Sequence, residues 1–483
     1  MLFNSIDFLI FFPLVTTLFF LIPHNARWLL LLVASCYFYM YFKPVYILIL
    51  FLTIFVDYFA GIFIYKASDK RIKKRYLVVS IIANIGILAV FKYFNFFNAN
   101  LSALLDGVGK HNPVPFLAIL LPIGLSFHTF QAMSYTIEIY RGNQIPERHF
   151  GIYALYVMFY PQLVAGPIER PQNILHQFRE KKYFDYIRVV SGLRLMLWGF
   201  FKKMVIADNL AVVADNVFNN PLEQNSLTFL LGAFFFTFQI YADFSGYSDI
   251  AIGSARVMGF DLMKNFNLPY LAQSIRDFWD RWHISLSTWF RDYLYIPIGG
   301  SKAGAFRKRL NILFVFLISG LWHGASWNFV VWGGLHGTYR ITEDFMNETS
   351  LFKFSFLNSY VKKMAKIVFT FLLVLLTWVF FRVNIDEAIY AIRVMVFGMG
   401  DLIANTSKGE GLFLGLNSSR SEILCLIAAI CFFYFSDRLK EMARFKNLFR
   451  VNSFVRFGLY FLFLFLIVLF SVMSETQFIY FQF

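Results

Sequence analysis

Long apolar runs alternate with short polar connections along the whole chain. The runs fall near 6–23, 28–42, 46–65, 76–97, 114–140, 151–166, 187–213, 227–256, 307–322, 326–345, 364–382, 420–436 and 455–473. A helix needs about 20 apolar residues to cross a bilayer, so the pattern predicts an all-α polytopic membrane protein with about eleven true spans. The remaining runs are expected to be re-entrant or interfacial, above all 151–166, which is short and ends in PQLVAGPIERP. The first run lacks a basic leading segment and a small-residue cleavage site, so it reads as a retained helix rather than a signal peptide. No repeat, low-complexity tract or soluble domain interrupts the pattern. One membrane domain over 1–483 is expected, with its motif-dense core at about 115–345 and C-terminal helices over 360–475.

Composition sharpens this picture. The chain is 58% hydrophobic and 15% charged, with a mean hydropathy of +0.59, whereas soluble domains carry about 25% charged residues. The net charge of +15 would suit nucleic acid, but the basic residues sit in connections, as in KASDKRIKKR (66–75) and RLKEMARFKNLFR (438–450). That is the positive-inside pattern: both stretches are expected in the cytoplasm, and no nucleic-acid partner is expected. Counting spans from 66–75 puts the N-terminus outside and the basic connection 141–149 inside. Cys36, Cys425 and Cys431 show neither a metal-ligand spacing nor a disulfide framework, so no metal is expected.

Several runs carry polar residues that a purely lipid-facing helix would avoid. In LPIGLSFHTFQAMSYTIEIYRG, Pro122 and Gly124 predict a kink near one end of the span. His128, Gln131 and Tyr135 recur on one face, as expected for a polar seam between packed helices. Pro161–Gln172 is proline-rich; it reads either as a re-entrant element with Gln162, Glu169 and Arg170 at a cavity mouth, or as an interfacial Glu169–Arg170 pair. In YADFSGYSDIAIG, Ser245–Gly246 predicts a helix break. Asp243 and Asp249 lie about 240° apart on a helix, so they are expected to be structural, pairing with groups such as Arg256 or Arg276.

The densest chemistry lies between about 273 and 340. QSIRDFWDRWHISLSTWFRDYLYIPIGG joins tryptophan to charge, with Arg276, Arg281, His283 and Arg291 among the residues. A basic loop, SKAGAFRKR, follows, and then an apolar stretch containing SGLWHGASW. His323 falls near the centre of the run 311–335. An ionisable side chain at membrane depth is expensive and is a functional hypothesis by default. Its imidazole, with an ordinary pKa of about 6.5, suits general-base work on a hydroxyl or thiol; the competing reading is a core histidine satisfied by one carbonyl. His336, thirteen residues on, would face away on a continuous helix and is expected to be structural unless the chain breaks at Gly324. There is no GxSxG, HExxH, P-loop, GxGxxG or Cys–His motif, so histidine is the candidate catalytic residue.

These motifs, together with VDYFAG near Asp57 and FYPQLVAGPIERP, resemble the membrane-bound O-acyltransferase (MBOAT) family, specifically its bacterial alginate O-acetylation branch. The likeness covers most of the chain. It implies a ring of helices around a thinned core with a central funnel or tunnel. By resemblance, His323 matches the membrane-embedded histidine and His283 the second polar position of the tryptophan-rich motif; both are expected to be catalytic. No bound cofactor is implied. Acetyl-CoA is the expected acyl donor from the cytoplasm, with Arg276, Arg281 and Arg291 as candidates for its phosphates. A separate periplasmic transferase is the expected partner, an exported polysaccharide such as alginate the expected acceptor, and the bacterial inner membrane the expected location. The alternatives are D-alanyl transfer to teichoic acid from a carrier-protein thioester, O-acetylation of peptidoglycan or cellulose, and, in a different class, a proton-coupled transporter. Against the transporter stand the lack of repeated halves and the tryptophan-rich charged block.

Overall fold

The computed structural model describes residues 1–118, 121–302, 304–349, 358–398, 420–441, 453–472 and 478–479. Among the described residues the elements are all helical, without a strand. They form two compact units: residues 1–196 with 248–264, and 197–247 with 265–483. Four helices have the length and composition to cross a membrane: Pro44–Lys66, Lys70–Asp106, Ser226–Met258 and Ser359–Arg382. Ile6–Leu21, Ser421–Ser436 and Phe457–Phe470 are apolar but shorter. The basic stretch 438–450 lies, beyond Glu441, outside the described residues.

In the first unit, α1 (Ile6–Leu21) starts where the Ser5 side chain accepts the Phe8 N–H, a usual N-cap arrangement. It is followed by α2 (His24–Met40), α3 (Ile47–Lys66) and α4 (Lys70–Leu88), which runs through a π turn into α5 (Phe94–Asp106). Leu9, Ile10, Leu48, Leu52 and Phe55 stay exposed on α1 and α3, as helices bathed in lipid require. The opposite face of α3 carries a buried carboxylate, Asp57. Ser80 donates to Asp57 Oδ1 at 2.5 Å, and Asn84 donates to both carboxylate oxygens at 3.0 and 2.9 Å. Ser80 also lies 2.9 Å from the Thr136 hydroxyl of α6 (Leu125–Arg141), so three helices meet at one polar node.

Pro122 and Gly124 mark the start of α6 rather than a kink within it. Gly124 has φ 74° and caps the helix, and a side chain there would meet the Leu163 carbonyl oxygen at 2.7 Å. The polar face of α6 is a seam, as its spacing suggests. His128 Nδ1 lies 3.1 Å from the Gly124 carbonyl, Gln131 donates to the Tyr156 carbonyl, and Tyr135 OH accepts the Glu147 N–H at 2.9 Å.

The next elements are α7 (Phe150–Met158), α8 (Tyr160–Leu163) and α9 (Pro171–Ile174). Gln162 and Glu169 are buried here and hold the chain together. Gln162 donates to the Tyr156 carbonyl at 2.9 Å, and Glu169 accepts from the Met263 N–H and from Asn173. Glu169 is buried rather than exposed at an interface, with the half-buried Arg170 charge near it.

In the second unit, α10 (Tyr186–Phe200), which begins in the first, passes through a π-helical segment, Phe201–Ala207, into α11 (Asp208–Asn219). Helix α12 (Ser226–Met258) supplies residues to both units and is unbroken across Ser245–Gly246. The glycine serves close packing instead: a Cβ on Gly246 would lie 2.8 Å from the Gly199 carbonyl oxygen. Asp243 is structural, but its partner is a lysine rather than an arginine. Lys203 Nζ sits 2.8 Å from Asp208 and 2.9 Å from Asp243, which also accepts the Ile479 N–H. Arg256 donates to Ser191. The remaining helices are α13 (Ile275–Arg281), α14 (Ile284–Phe290), α15 (Ala305–His323), α16 (Trp327–Thr349), α17 (Ser359–Arg382), α18 (Ile385–Phe397), α19 (Arg420–Glu441) and α20 (Ser453–Phe470).

Candidate functional site

The run 311–335 is not one span. Helix α15 ends at His323, Gly324 is extended, and α16 starts three residues later. The two helices fold back on each other as a hairpin held by small residues, in the manner of membrane helix pairs. A methyl group on Gly320 would sit 2.1 Å from the Phe329 carbonyl oxygen, and one on Gly333 2.2 Å from that of Phe316. His323 therefore stands at the corner of a hairpin, not mid-helix. It is buried, and its ring meets Trp322, Trp332 and Phe381 at centroid distances of 4.9, 5.0 and 5.5 Å.

The break at Gly324 also brings His336 back toward His323, since Trp332 makes edge contacts with both rings, at 5.0 Å to His323 and 4.9 Å to His336. His336 is nevertheless fully engaged. Trp279 Nε1–H donates to its Nδ1 at 3.3 Å, so Nε2 carries the proton and faces the Thr377 hydroxyl at 3.0 Å. This geometry is that of a structural histidine.

His283 precedes α14 with φ 43°, a strained conformation for a residue with a side chain, and such strain clusters at functional sites. Asn265 supplies the clamp. Its Oδ1 accepts the Ser285 backbone N–H and the Ser285 hydroxyl, at 3.3 and 2.9 Å. A backbone N–H can only donate, so this atom is the amide oxygen. His283 Nδ1, 3.1 Å away, must then donate to it, and the basic lone pair belongs to Nε2. Phe244 packs edge-on at 4.7 Å, and Trp322 lies at 6.3 Å. Thus Trp322 touches both His323 and His283.

A cavity of about 600 Å³ runs beside α15. Arg276, Arg291, Lys308 and Arg340 line it together with Asp280 and Asp344, and its wall continues along Ile312, Val315, Phe316 and Ser319. Ser319 is one helical turn before His323. Lys308 and His323 are fifteen residues apart on α15, which is about 22 Å at 1.5 Å per residue. Of the three arginines picked out in the sequence, Arg276 and Arg291 line this cavity. Arg281 does not; it pairs with Asp277 at 2.6 Å and reaches the Asn267 carbonyl. Asp292 lies 2.8 Å from Arg291 Nε and pushes its guanidinium pKa above the ordinary value, so the charge is permanent.

Lys308, Arg340, Asp344 and Asn265 were not singled out by the sequence. Lys308 sits in what reads as a loop but opens α15. Arg340 and Asp344 share a face only because α16 continues past the apolar run.

A second cavity, of about 460 Å³, lies at the corner end of the hairpin. Asn219, Asn328, Arg382, Asn384 and Glu387 line it with Phe329 and Phe381. Phe381 contacts His323, and Arg382 pairs with Asp215 at 2.6 Å. His323 itself lines neither cavity; it reaches the first through Ser319, one turn earlier on α15, and the second through its ring contact with Phe381.

The chain belongs to the membrane-bound O-acyltransferase family, which matches residues 144–383 and so takes in both histidines and the basic cavity. It is a membrane-bound O-acyltransferase. Among its relatives, the probable alginate O-acetylase AlgI of Azotobacter vinelandii is 38% identical over 406 residues, 83% of this chain and 79% of that protein. The peptidoglycan O-acetyltransferase of Helicobacter pylori is 35% identical over 415 residues, 80% and 76% of the two chains. The teichoic acid D-alanyltransferase of Bacillus subtilis is more distant, 28% identical over 254 residues, 49% of this chain and 61% of that protein.

Proposed function

We propose that this enzyme transfers an acetyl group from a cytoplasmic thioester, acetyl-CoA, toward O-acetylation of an exported polysaccharide such as alginate. The observation that carries this reading is the basic cavity beside α15, whose lining reaches Ser319, one helical turn before His323 at the hairpin corner. Arg276, Arg291, Lys308 and Arg340 would hold donor phosphates, since guanidinium and ammonium groups are the usual partners of phosphate. The apolar wall along Ile312, Val315 and Phe316 would take the pantetheine arm. In the transfer step, His323 removes the proton of an acceptor hydroxyl as its oxygen attacks the thioester carbonyl carbon. The C–S bond breaks, and the imidazolium returns the proton to the departing thiolate. His283 orients the reacting groups through Nε2, with its tautomer held by Asn265. In a variant of this scheme His323 carries the acyl group transiently before the hydroxyl receives it.

The basic segment between residues 302 and 309 favours a cytoplasmic mouth for the donor cavity by the positive-inside rule. The hairpin corner and the acceptor then face the periplasm, where a partner transferase delivers the group. In the first unit α3 and α6 run in parallel, and the Tyr58 hydroxyl donates to the Arg148 carbonyl at 2.6 Å. Both observations support the proposed cytoplasmic side for the basic connections 66–75 and 141–149. An inner-membrane protein with about eleven spans in a ring around a funnel fits this reading.

Among the alternatives, O-acetylation of peptidoglycan is supported by the 35% identical relative. D-alanyl transfer is less favoured, since those relatives match only about half of the chain.

The test is the acetyl-ester content of surface polysaccharide in a deletion strain complemented with wild type or His323→Ala, with membrane levels checked by blot. Normal protein with no ester is expected. Full acetylation by the variant would make His323 a packing residue and end this mechanism. D-alanine esters lost in place of acetyl esters would move the reading to the alternative.

A further inference from the structure

We propose that Asp344 is a built-in rival of the donor's phosphate: it holds Lys308 and Arg340 while the cavity is empty and must give them up when a donor arrives. The proposal rests on the reading of the basic cavity as the donor site. Asp344 lies on α16, one turn beyond Arg340, and pairs with it. Lys308 reaches across from α15, with Nζ 2.8 Å from Asp344 Oδ2. All three residues line the cavity, and their side chains are only 26%, 15% and 11% exposed for Lys308, Arg340 and Asp344.

Two cations this far out of water would be costly without a counter-ion, so the carboxylate makes the empty cavity tenable. A phosphate is a stronger ligand for the same groups, because it brings more charge and more acceptor oxygens. It cannot sit beside Asp344 without like-charge repulsion. The donor must therefore displace the carboxylate, and the carboxylate in turn helps expel the product, which carries the same phosphates as the donor. Arg276 and Arg291 differ from this pair. The Arg291 guanidinium pairs with Asp292, which is not in the cavity lining, and feels the lining carboxylate Asp280 without a close ion pair to it; Arg276 meets Glu343 through its backbone N–H. The close ion pairs within the lining, and with them the exchange, lie at the Lys308–Arg340 end.

The consequence is a residue that sets donor affinity and turnover in opposite directions without touching the acyl group. The measurement is the affinity of full-length protein in nanodiscs for two probes, coenzyme A and phosphopantetheine, with donor KM and kcat determined alongside. For Asp344→Asn, and independently for Asp344→Ser, coenzyme A is expected to bind about tenfold more tightly, the scale of relieving one close like charge. Donor KM should fall, and kcat should fall with it as product release slows. Tightening for coenzyme A alone assigns the contact to the phosphates of a free nucleotide thioester. Equal tightening for both probes assigns it to the phosphate next to pantetheine, which a carrier protein would also present.

Unchanged or weaker binding in both variants, with Arg340→Gln clearly weaker than wild type, would overturn the rivalry and leave the donor site standing. If Arg340→Gln and Arg276→Gln leave coenzyme A binding untouched, the donor site itself is elsewhere and the proposal falls with it.

Discussion

Two polar assemblies in this molecule handle the same problem in opposite ways. In the first unit Asp57 is fully buried, and its two oxygens are taken up by Ser80 and Asn84, with Thr136 completing the node. In the second unit four cations line a cavity of about 600 Å³ with two carboxylates for company. The Asp57 node spends its hydrogen bonds on fastening three helices together. The cavity keeps a surplus of positive charge facing a space, and that surplus is what a phosphate from outside can use. An ionisable residue in an apolar run is thus a sign of cost, and only its surroundings say whether the return is rigidity or chemistry.

Substitutions in the two assemblies should separate these outcomes. The largest expected effect is at the hairpin corner, where His323→Ala should lower the transfer rate by roughly 10²–10⁴-fold, the usual worth of general acid–base catalysis, with normal membrane levels despite some loss of thermal midpoint from the cavity the ring leaves. Asn265→Ala comes next: freeing the His283 tautomer should reduce kcat by about tenfold with little change in donor KM. For Asp57→Ala the expected loss lies in stability, about 2–3 kcal/mol from donors left unsatisfied, read as a lower melting temperature with activity per folded molecule retained. If that variant melts normally but is inactive, the contrast between the two assemblies collapses. Arg340→Gln should raise donor KM about tenfold through one lost charged hydrogen bond. Arg281→Gln should leave donor KM within about twofold, because Arg281 is outside the cavity lining and its partly buried i,i+4 pair with Asp277 is a local one. A larger change would put Arg281 back among the donor ligands.

Much of this architecture is visible in the residue pattern. The apolar runs mark the helices, and the spacing of His128, Gln131 and Tyr135 marks a seam that all three side chains then form. What the pattern misreads are glycines and partners. Gly246 looks like a break but allows Gly199 to approach; at Gly324 the spacing leaves a continuous helix and a break both open, and the helix ends there. Both carry the same composition signal, and only the neighbouring helix decides which role applies. Asp243 looks like a partner for arginine because arginines are near in sequence, whereas Lys203 comes from a π-helical segment forty residues away. The motif resemblance supplied His283 and His323, but Lys308, Arg340 and Asp344 belong to no motif. They converge only because the hairpin closes on itself.

That hairpin also measures. Its cationic end and its imidazole end are separated by a stretch of helix about 22 Å long, so the donor proposed above, anchored by its phosphates, would present its thioester only with an arm of matching length. One added turn would lengthen the gauge by about 5.4 Å and disqualify the same donor with no side chain of the site altered. Selection by reach, set by the residue count between Lys308 and His323, would then act before any contact with the acyl group is made.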